Sequence, residues 1–411
     1  MKVKVETYGC TMNQGEGRLL EEKLAALGHQ IIDDASDADL IVLNTCTVIK
    51  ETERRMLKRM ADLSAQRKGL VVTGCMASIQ ADEIIKAAPR ALIMAPRDYQ
   101  RFPALMEEQF GCGDGGVVLP SPITFVLPIA QGCVGNCTYC ITKLARGTLS
   151  SYIMADVIAQ AKNGLEGGAR ELLVTAQDTA CYGFDLGTDL PDLLNSLTGL
   201  PGDFKVRVGM MNPDNLSRIV DRLLPAYTSP KVYQFLHLPV QSGSPAILEA
   251  MNRGYRPEDF ISLSERLRRA SPHMTLATDV IVGFPGETAE DHRSTVEMLR
   301  EVRPDIVNVT RFSPRQGTPA SLARNQIPGW VAKERSREMT KLRFEISLEI
   351  NQAMVGKRER IIITERGKEG TSIGRTSSYK PVVVQGLHPA GSTMEVEIIR
   401  SAATHLFGEP R

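Results

Sequence analysis

The chain of 411 residues is long enough for two to four domains with buried cores. Its 42% apolar and 24% charged residues are ordinary for a soluble globular protein, and its net charge of +1 restricts any nucleic-acid surface to a local basic patch. There is no apolar leader-like segment and no apolar run of about 18 residues. We therefore expect a cytoplasmic protein with no membrane partner. Its eight cysteines then favour metal ligation or catalysis over structural disulfides.

The first 110 residues alternate between strand and helix patterns, which predicts an α/β domain with a parallel sheet. The predicted elements are strands Lys2–Tyr8, Leu40–Asn44 and Leu70–Thr73, and helices Glu16–Leu27 (with an Asn13 cap) and Thr52–Gln66. A cysteine follows each strand: Cys10, Cys46 and Cys75. Because ligands gather at the carboxyl ends of parallel strands, we expect these three thiols to meet at one edge of the sheet.

A Gly- and Pro-rich stretch at 111–122 predicts a linker, and a second alternating region follows. Its six strand–helix units over roughly 200 residues favour a partial (β/α)6 barrel over a closed eightfold one. The predicted strands are Phe125–Ala130, Glu171–Ala176, Lys205–Gly209, Val232–Leu238, Leu276–Val282 and Ile306–Phe312. The predicted helices include Met154–Asn163, Pro257–Ala270 and Glu287–Glu301.

A charged amphipathic helix, predicted over Val331–Met354, ends this central domain of residues 123–354. Residues 355–411 differ in character, with short strands, Gly-rich turns and no long helix. The predicted strands are Arg360–Thr364, Pro381–Gln385 and Met394–Arg400. This pattern predicts a small antiparallel β-barrel of the OB-like kind, and its slight excess of Lys and Arg suits RNA.

The most informative motif is CxxxCxxC, formed by Cys133, Cys137 and Cys140 directly after the first central strand. Three closely spaced thiolates can hold three irons of a [4Fe–4S] cluster and leave the fourth iron open to a cofactor or substrate. A zinc knuckle or unliganded buried thiols are the alternatives. Structural zinc takes four protein ligands, and no neighbouring Cys or His supplies the fourth.

With Tyr139 before its last cysteine, this motif resembles the radical S-adenosylmethionine superfamily. The resemblance implies that the open iron chelates S-adenosylmethionine, whose reductive cleavage gives a 5′-deoxyadenosyl radical. The Gly-Gly-Glu signature of that superfamily corresponds here to 168–171, where only Glu171 matches. Polar or Gly-containing segments at other strand ends suit a cofactor, although each alone is more often a turn. The candidate cofactor contacts are Tyr139, Glu171, Gln177, Gln241, Asp279 and Gly283.

The sequences around Cys10, Cys46 and Cys75 resemble the N-terminal domain of methylthiotransferases. In that family a radical domain follows, and an RNA-binding TRAM domain ends the chain, so the resemblance covers nearly all of this sequence. It implies a second [4Fe–4S] cluster on these three cysteines, which carries the sulfur to be transferred. One S-adenosylmethionine methylates that sulfur and a second supplies the radical, so that all six cysteines serve catalysis. The alternative is that the three are separate small buried residues.

Members of this family modify adenosine derivatives beside the tRNA anticodon or an aspartate of a ribosomal protein. The segments 142–152 and 232–241 resemble the archaeal and eukaryotic branch, which acts on N6-threonylcarbamoyladenosine. We therefore predict methylthiolation at C2 of that base in the tRNA anticodon stem-loop, with isopentenyladenosine or the ribosomal aspartate as alternatives. The candidate phosphate contacts, each of which could equally lie on a solvated face, are Lys143, Arg146, Arg311, Arg315 and Arg375.

Two other classes of protein stay open: a non-catalytic iron–sulfur RNA-binding protein and a structural zinc protein. The radical chemistry also implies an electron donor as a partner. Cys181 lies near the predicted active rim, where a packing role is favoured over a reactive thiol. Cys112 falls in the predicted linker and receives no role.

Overall fold

The computed structural model describes residues 1–411 except 49, 67, 114–118, 120 and 121. The central part of the predicted linker therefore lies outside the described residues. The described chain forms an N-terminal parallel-sheet unit, a central six-stranded open barrel and a C-terminal closed β-barrel. This mixed α/β fold class is the predicted one.

The N-terminal unit is a five-stranded parallel sheet in the order β2-β1-β3-β4-β5. Its strands are β1 (Lys2–Thr7), β2 (Gln30–Ile31), β3 (Leu40–Thr45), β4 (Gly69–Gly74) and β5 (Leu92–Ile93). Its helices are α1 (Thr11–Ala26), α2 (Lys50–Ala65), α3 (Cys75–Ile79), α4 (Ala81–Ala87) and α5 (Phe102–Phe110), the last preceded by a 3-10 helix, Pro96–Arg101.

Strand β3 lies at the centre of this sheet, and all of its residues are buried. Alternate side chains of a strand point to opposite faces. Val42 accordingly packs in one apolar cluster with Leu24 of α1, and Ile41 packs in another with Met60 of α2. Helices thus cover both faces, which is why β3 is an almost continuous apolar run.

The described part of the central unit contains six parallel strands in chain order, in two three-stranded sheets joined by a bridge from Val206 to Val232. The strands of the open barrel are β6 (Thr124–Pro128), β9 (Glu171–Thr175), β10 (Lys205–Val208), β11 (Phe235–His237), β12 (Thr275–Val282) and β13 (Ile306–Arg311). A small hairpin pairs β7 (Ala130–Gln131) with β8 (Ser150–Ser151).

Eight helices belong to the described part of this unit. They are α6 (Thr142–Arg146), α7 (Met154–Glu166), α8 (Leu190–Thr198), α9 (Pro213–Tyr227), α10 (Pro245–Ala250), α11 (Pro257–Ala270), α12 (Ala289–Val302) and α13 (Gly329–Gln352). Short 3-10 helices occur at Thr179–Cys181 and Pro319–Leu322.

The fourth barrel strand is shorter than the predicted Val232–Leu238. The backbone N–H of Gln234 donates to the carbonyl of Ser377 in the C-terminal barrel, at 2.9 Å. The chain before β11 thus contacts the C-terminal barrel in addition to the barrel sheet, to which Val232 is bridged and from which Thr275 donates its N–H to the carbonyl of Gln234 at 2.9 Å.

The C-terminal unit is a closed five-stranded barrel in the order β14-β15-β16-β18-β17. Its strands are β14 (Arg358–Arg366), β15 (Thr371–Arg375), β16 (Pro381–Gln385), β17 (Thr393–Ser401) and β18 (Leu406–Pro410). The predicted small antiparallel barrel is confirmed: its other strand pairs are antiparallel, and β16 and β18 pair in parallel. Such a five-stranded, Greek-key-like closure belongs to the OB-like kind.

This barrel packs against the starts of the central strands. Lys380 forms an ion pair with Asp305, directly before β13, at 2.6 Å, and the ring of Tyr379 lies 5.3 Å from that of Phe235 in β11. Cys133 follows the end of β6, so the C-terminal barrel lies at the opposite end of the central unit from the CxxxCxxC loop. In the described chain, every helix is too short or too polar to cross a membrane.

Candidate functional site

Three neighbouring strands of the N-terminal sheet deliver the first cysteine triplet. Cys46 and Cys75 directly follow β3 and β4, whose last residues, Thr45 and Gly74, are register partners. Cys10 follows β1 and occupies the N-cap position of α1. The three cysteines are therefore at one sheet edge, as the strand pattern predicts.

Glycines let the three loops approach each other. Gly9 has a φ of +114°, and a Cβ there would lie 2.7 Å from Cβ of Cys46 and 3.1 Å from its sulfur. Gly74 has a φ of +85°, and a Cβ there would lie 2.3 Å from the carbonyl of Thr45. Any larger residue would separate the loops of Cys10 and Cys75 from that of Cys46.

Asn13 joins two of these loops, and the prediction that it caps α1 is wrong. It lies inside the helix, where its amide nitrogen donates to the carbonyls of Tyr8 and Thr45, each at 2.8 Å. Its side-chain oxygen accepts a longer contact from the thiol of Cys10, at 3.6 Å. A buried amide with several backbone partners fixes the spacing of the Cys10 and Cys46 loops.

Arg146, from helix α6 of the central unit, completes this triplet. Its Nε donates to the sulfur of Cys75 at 3.3 Å, and its two terminal nitrogens form a bidentate pair with Glu16. The side chains of Arg146 and Glu16 are only 1% and 4% exposed. Arg146 therefore does not present its guanidinium to a phosphate, contrary to the prediction, because a buried cation must stay with its compensating partners.

Burial controls the acidity of these thiols. It raises the pKa of Cys75 to about 11, against the opposing charge and hydrogen bond of Arg146, and it also raises the pKa of Cys46. Protonated thiols are poor nucleophiles, whereas a bound metal cation can replace the proton. Cys10 is exposed, so the triplet is open to solvent on that side.

The second triplet belongs to one loop after β6. A Cβ on Gly135 would lie 3.5 Å from the sulfur of Cys133 and 3.9 Å from that of Cys137, so these two sulfurs flank one small space. The N–H of Gly135 donates to the sulfur of Cys133 at 3.2 Å. Burial raises the pKa of Cys133 to about 11, and the neighbouring Cys137 and Cys140 add to the shift.

Arg253 is the cation of this second triplet. Its Nη1 donates to the sulfur of Cys137 at 3.3 Å, and its Nη2 donates to the carbonyl of Pro239 at 3.1 Å. Its Nε donates to the hydroxyl of Tyr255 at 2.9 Å. Hydrogen bonds to ligand sulfurs are a main way in which proteins tune metal sites.

Tyr139 anchors the loop by packing. Its ring lies 6.3 Å from that of Phe284, edge to face, in a small apolar cluster with Met251. The adjacent Thr138 donates its backbone N–H to the carbonyl of Met251 at 3.0 Å. These contacts hold the cysteines in place around Tyr139.

Gln177 and Gln241 lie at the carboxyl-terminal rim of the barrel. The Oε1 atom of Gln177 is buried, and no residue of the described ranges donates to it. Gln241 has a φ of +72°, which is rare for a residue other than glycine and typical of functional sites. The unsatisfied oxygen of Gln177 fits a donor on a bound cofactor.

Asp279 is already partnered. Its Oδ1 contacts Nε2 of His237 at 3.0 Å and accepts from the amide of Asn308 at 2.8 Å. Burial alone would raise the pKa of Asp279, but the hydrogen bond and charge of His237, together with Asn308, lower it overall. A cofactor contact by Asp279 would therefore be shared with these two side chains.

Gly283 has a packing role. It has a φ of +72°, and a Cβ there would lie 2.6 Å from that of Ala332 in α13. Its N–H donates to the carboxylate of Glu287 at 2.7 Å. The structure therefore explains this glycine by the close approach of a helix.

Glu171 is at the wrong end of the barrel for the predicted cofactor contact. It is the first residue of β9, where its buried carboxylate accepts hydrogen bonds from Thr124 and Tyr233. The polar residues at the other end of this strand are Gln177 and Asp178. The Gly-Gly-Glu signature was matched to residues 168–171, which precede β9, whereas the rim lies after the end of this strand.

The other four predicted RNA contacts differ in whether they have partners. Lys143, Arg315 and Arg375 each contact other residues of the chain, whereas Arg311 is exposed. Lys143 donates to the carbonyl of Cys133, and Arg311 is exposed at the end of β13. Arg315 is 7% exposed and pairs with Glu53 of the N-terminal unit at 2.8 Å. Arg375 stacks over Tyr379, 4.9 Å from the ring centroid, at the interface with the central unit. Among these predicted contacts, all of which lie in the described part of the chain, Arg311 is the exposed one at the rim.

Sequence reasoning missed Arg253, Glu16 and Asp178. Asp178 is buried, its charge contributes to the raised pKa of Cys133, and it accepts hydrogen bonds from Asn215, at 2.7 Å, and two backbone N–H groups. Only its position at a strand end could have indicated it, whereas Glu16 and Arg253 carry no local signal. Cys181 is fully buried and its thiol contacts the carbonyl of Asp178 at 3.1 Å.

Across the described ranges, no three His, Cys, Asp or Glu side chains are grouped so as to hold a metal ion. In the second triplet, the sulfurs of Cys133 and Cys137 flank a small space and each accepts an N–H donor, which is a chemically suitable setting for an iron–sulfur cluster.

Comparisons with known proteins agree with this architecture. Residues 2–95 match the family described as uncharacterized protein family UPF0004, residues 127–299 match the radical SAM superfamily, and residues 352–410 match the TRAM domain. The chain is therefore a radical S-adenosylmethionine enzyme, a class that implies S-adenosylmethionine and a [4Fe–4S] cluster.

Full-length relatives define the family more closely. A probable threonylcarbamoyladenosine tRNA methylthiotransferase of Pyrococcus horikoshii is 38% identical, over 100% of this chain and 99% of the relative. The threonylcarbamoyladenosine tRNA methylthiotransferase of Homo sapiens is 31% identical, over 100% of this chain and 74% of the relative. This chain belongs to the threonylcarbamoyladenosine tRNA methylthiotransferase family.

Solved structures share the fold alone. The radical S-adenosylmethionine methyltransferase TsrM from Kitasatospora setae aligns with a TM-score of 0.58 at 12% identity, over 78% of this chain and 74% of that one. The cobalamin-dependent radical enzyme OxsB aligns with a TM-score of 0.52 at 14% identity, over 82% of this chain and 56% of that one.

Proposed function

We propose that this enzyme transfers a methylthio group to C2 of N6-threonylcarbamoyladenosine next to the anticodon of tRNA. It uses two molecules of S-adenosylmethionine per turnover and two [4Fe–4S] clusters. The observation that carries the proposal is the presence of two separate cysteine triplets on either side of one short helix, α6. Lys143 of this helix contacts the Cys133 loop, and Arg146 contacts Cys75.

Each triplet would hold one cluster. Cys133, Cys137 and Cys140 would bind the cluster of the radical domain, and Cys10, Cys46 and Cys75 would bind the second. When bound, the two clusters supply the electron that cleaves S-adenosylmethionine and the sulfur that is transferred.

This chain's own side chains would orient the cofactor and control the cluster environment. Gln177 offers a buried acceptor, which suits an amino or hydroxyl hydrogen of S-adenosylmethionine. Asp279, held by His237 and Asn308, offers a carboxylate on the same barrel. Arg253 donates to Cys137 and so stabilises the thiolate form that ligates iron.

The names of the relatives and the C-terminal barrel support tRNA as the substrate. Strand β12 has eight residues and is therefore about 26 Å long. The two ends of the central barrel are about that far apart. We infer that the anticodon loop reaches the rim near Arg311 while the C-terminal barrel binds a more distant part of the tRNA. With tRNA as the substrate, the reaction would take place in the cytoplasm.

Mass spectrometry of nucleosides tests this function. Anaerobically reconstituted enzyme would be incubated with S-adenosylmethionine, a chemical reductant in place of the electron donor, and tRNA carrying threonylcarbamoyladenosine. The expected result is a mass gain of one methylthio group on that nucleoside. The same reaction with tRNA lacking the threonylcarbamoyl group is the matched control and should give no such gain.

The other outcomes separate the alternatives. Release of 5′-deoxyadenosine without the mass gain would move the acceptor to isopentenyladenosine or to a ribosomal aspartate. If neither product formed although both clusters were loaded, a non-catalytic iron–sulfur RNA-binding protein would be the better description.

A further inference from the structure

Helix α6 connects the two triplets with only five residues. It begins two residues after Cys140 and ends at Arg146, whose side chain enters the N-terminal unit. Helix α3, which begins at Cys75, packs directly against it. A cation carried by the radical domain is thus buried beside a thiol of the other triplet.

The contacts of Arg146 differ from those of an ordinary structural ion pair. Two of its nitrogens bind Glu16, one of these also donates to Asn13 at 3.0 Å, and Nε is left to donate to the sulfur of Cys75. Arg59 and Glu6 form a comparable bidentate pair in the same unit, but that pair is more exposed, and within the described residues it contacts no cysteine. Glu16 and Asn13 therefore hold the guanidinium of Arg146 in place, and its Nε–H points at the thiol of Cys75.

The electrostatic consequence has a definite sign. Reduction adds an electron, so a nearby positive charge or an N–H donor to a ligand sulfur stabilises the reduced cluster and raises its potential. The effect is strong where water is excluded, as it is around Arg146. Glu16 opposes it, because its negative charge offsets part of the field of Arg146.

We propose that Arg146 is a positioning residue for the N-terminal cluster, which orients Cys75 through the Nε–H···S hydrogen bond and raises the reduction potential of that cluster. This inference rests on the proposed second cluster. It gives the radical domain a direct influence on the sulfur-donating site, through a residue that touches neither S-adenosylmethionine nor RNA.

Potentiometric titration followed by electron paramagnetic resonance tests the inference. The parent would be the full chain with Cys133, Cys137 and Cys140 replaced by Ala, so that only the N-terminal cluster can form. R146Q should shift its potential to a more negative value, and R146K, which keeps the charge but not the planar donor, should give a smaller shift in the same direction. E16Q should shift it the opposite way.

R59Q is the matched control, since it breaks a bidentate Arg–Glu pair without losing a sulfur contact, and its potential should equal that of the parent. If R146Q matched R59Q while its cluster was loaded, the inference would be overturned and Arg146 would be a structural anchor. If R146Q failed to bind iron, R146K would decide: a negative shift supports the inference and an unchanged potential overturns it. A parent that bound no iron would instead overturn the two-cluster proposal.

Discussion

The two cysteine triplets are constructed in different ways. Cys133, Cys137 and Cys140 come from one loop, whose own backbone N–H at Gly135 donates to a sulfur. Cys10, Cys46 and Cys75 come from three strands and need a residue of another unit, Arg146, to complete their surroundings. A site whose cysteines lie on one loop depends mainly on that loop. A site whose cysteines come from three strands also depends on how two units pack. The two sites should therefore respond differently to mutation.

Removing one cysteine from each triplet should have the largest effect. C137A should abolish both 5′-deoxyadenosine and the methylthiolated nucleoside, because the radical step precedes transfer. C75A should abolish the methylthiolated nucleoside and leave 5′-deoxyadenosine formation. Both products are measured by liquid chromatography with mass spectrometry. C112A, at an exposed cysteine, should leave both unchanged, and a C75A enzyme that still methylthiolated tRNA would disprove the sulfur-donor role.

Removal of the cation beside the central triplet, Arg253, should have the next largest effect on activity. R253Q removes the N–H donor to Cys137 and should slow 5′-deoxyadenosine formation by about 10–100-fold, the usual cost of losing a partner of a metal ligand. R256Q, at an exposed arginine three residues along, is the control. An R253Q rate within twofold of this control, with the cluster loaded, would show that the hydrogen bond has no chemical role.

The buried pair beside the N-terminal triplet should contribute more to stability than an exposed one. E16Q leaves Arg146 without its carboxylate and should lower the free energy of unfolding by about 3 kcal/mol. E6Q breaks the more exposed pair with Arg59 and should cost about 1 kcal/mol. Urea unfolding of the cluster-free chains measures both. Equal losses would mean that burial of Arg146 adds nothing.

Substitution of the glycine beside each triplet should show the smallest difference between the two sites, measured as loss of stability. G9A forces an alanine into a left-handed conformation against Cys46 and should cost about 2 kcal/mol in the cluster-free chain. G135A meets only the two sulfurs, at ordinary contact distance, and should cost less than about 0.5 kcal/mol. Thermal unfolding compares them. A larger loss for G135A would contradict the idea that the central loop forms its site locally.

Much of the fold could be predicted from local patterns. The buried run of β3 and the alternation of strands and helices indicate a parallel sheet, and the C-terminal change in pattern indicates a separate β-barrel. The strand order of the OB-like barrel could not be predicted in this way, since the parallel pairing of β16 with β18 forms only when the barrel closes. The same limit applied at 232–238, where the strand is shorter than predicted and Gln234 donates its N–H to Ser377 of the C-terminal barrel.

The candidate site shows the same division. A cysteine after a strand could be placed at the sheet edge, because strand direction and periodicity are local properties. The role of a charged side chain could not be predicted in this way. Arg146 and Arg315 read as RNA contacts in the sequence, yet both are buried in ion pairs with the N-terminal unit. Glu171 was assigned to the cofactor on a family signature, although the strand begins at that residue and its other end lies at the rim.

The sequence by itself determined the three units, their order and the positions of both cysteine triplets, because apolar periodicity and short spacings act within a few residues. Only the tertiary structure decided which cations face the sulfurs. Arg146 lies 71 residues from Cys75 along the chain, and Arg253 lies 116 residues from Cys137. A buried cation is stable only where packing brings its partners together, so its role depends on the whole fold.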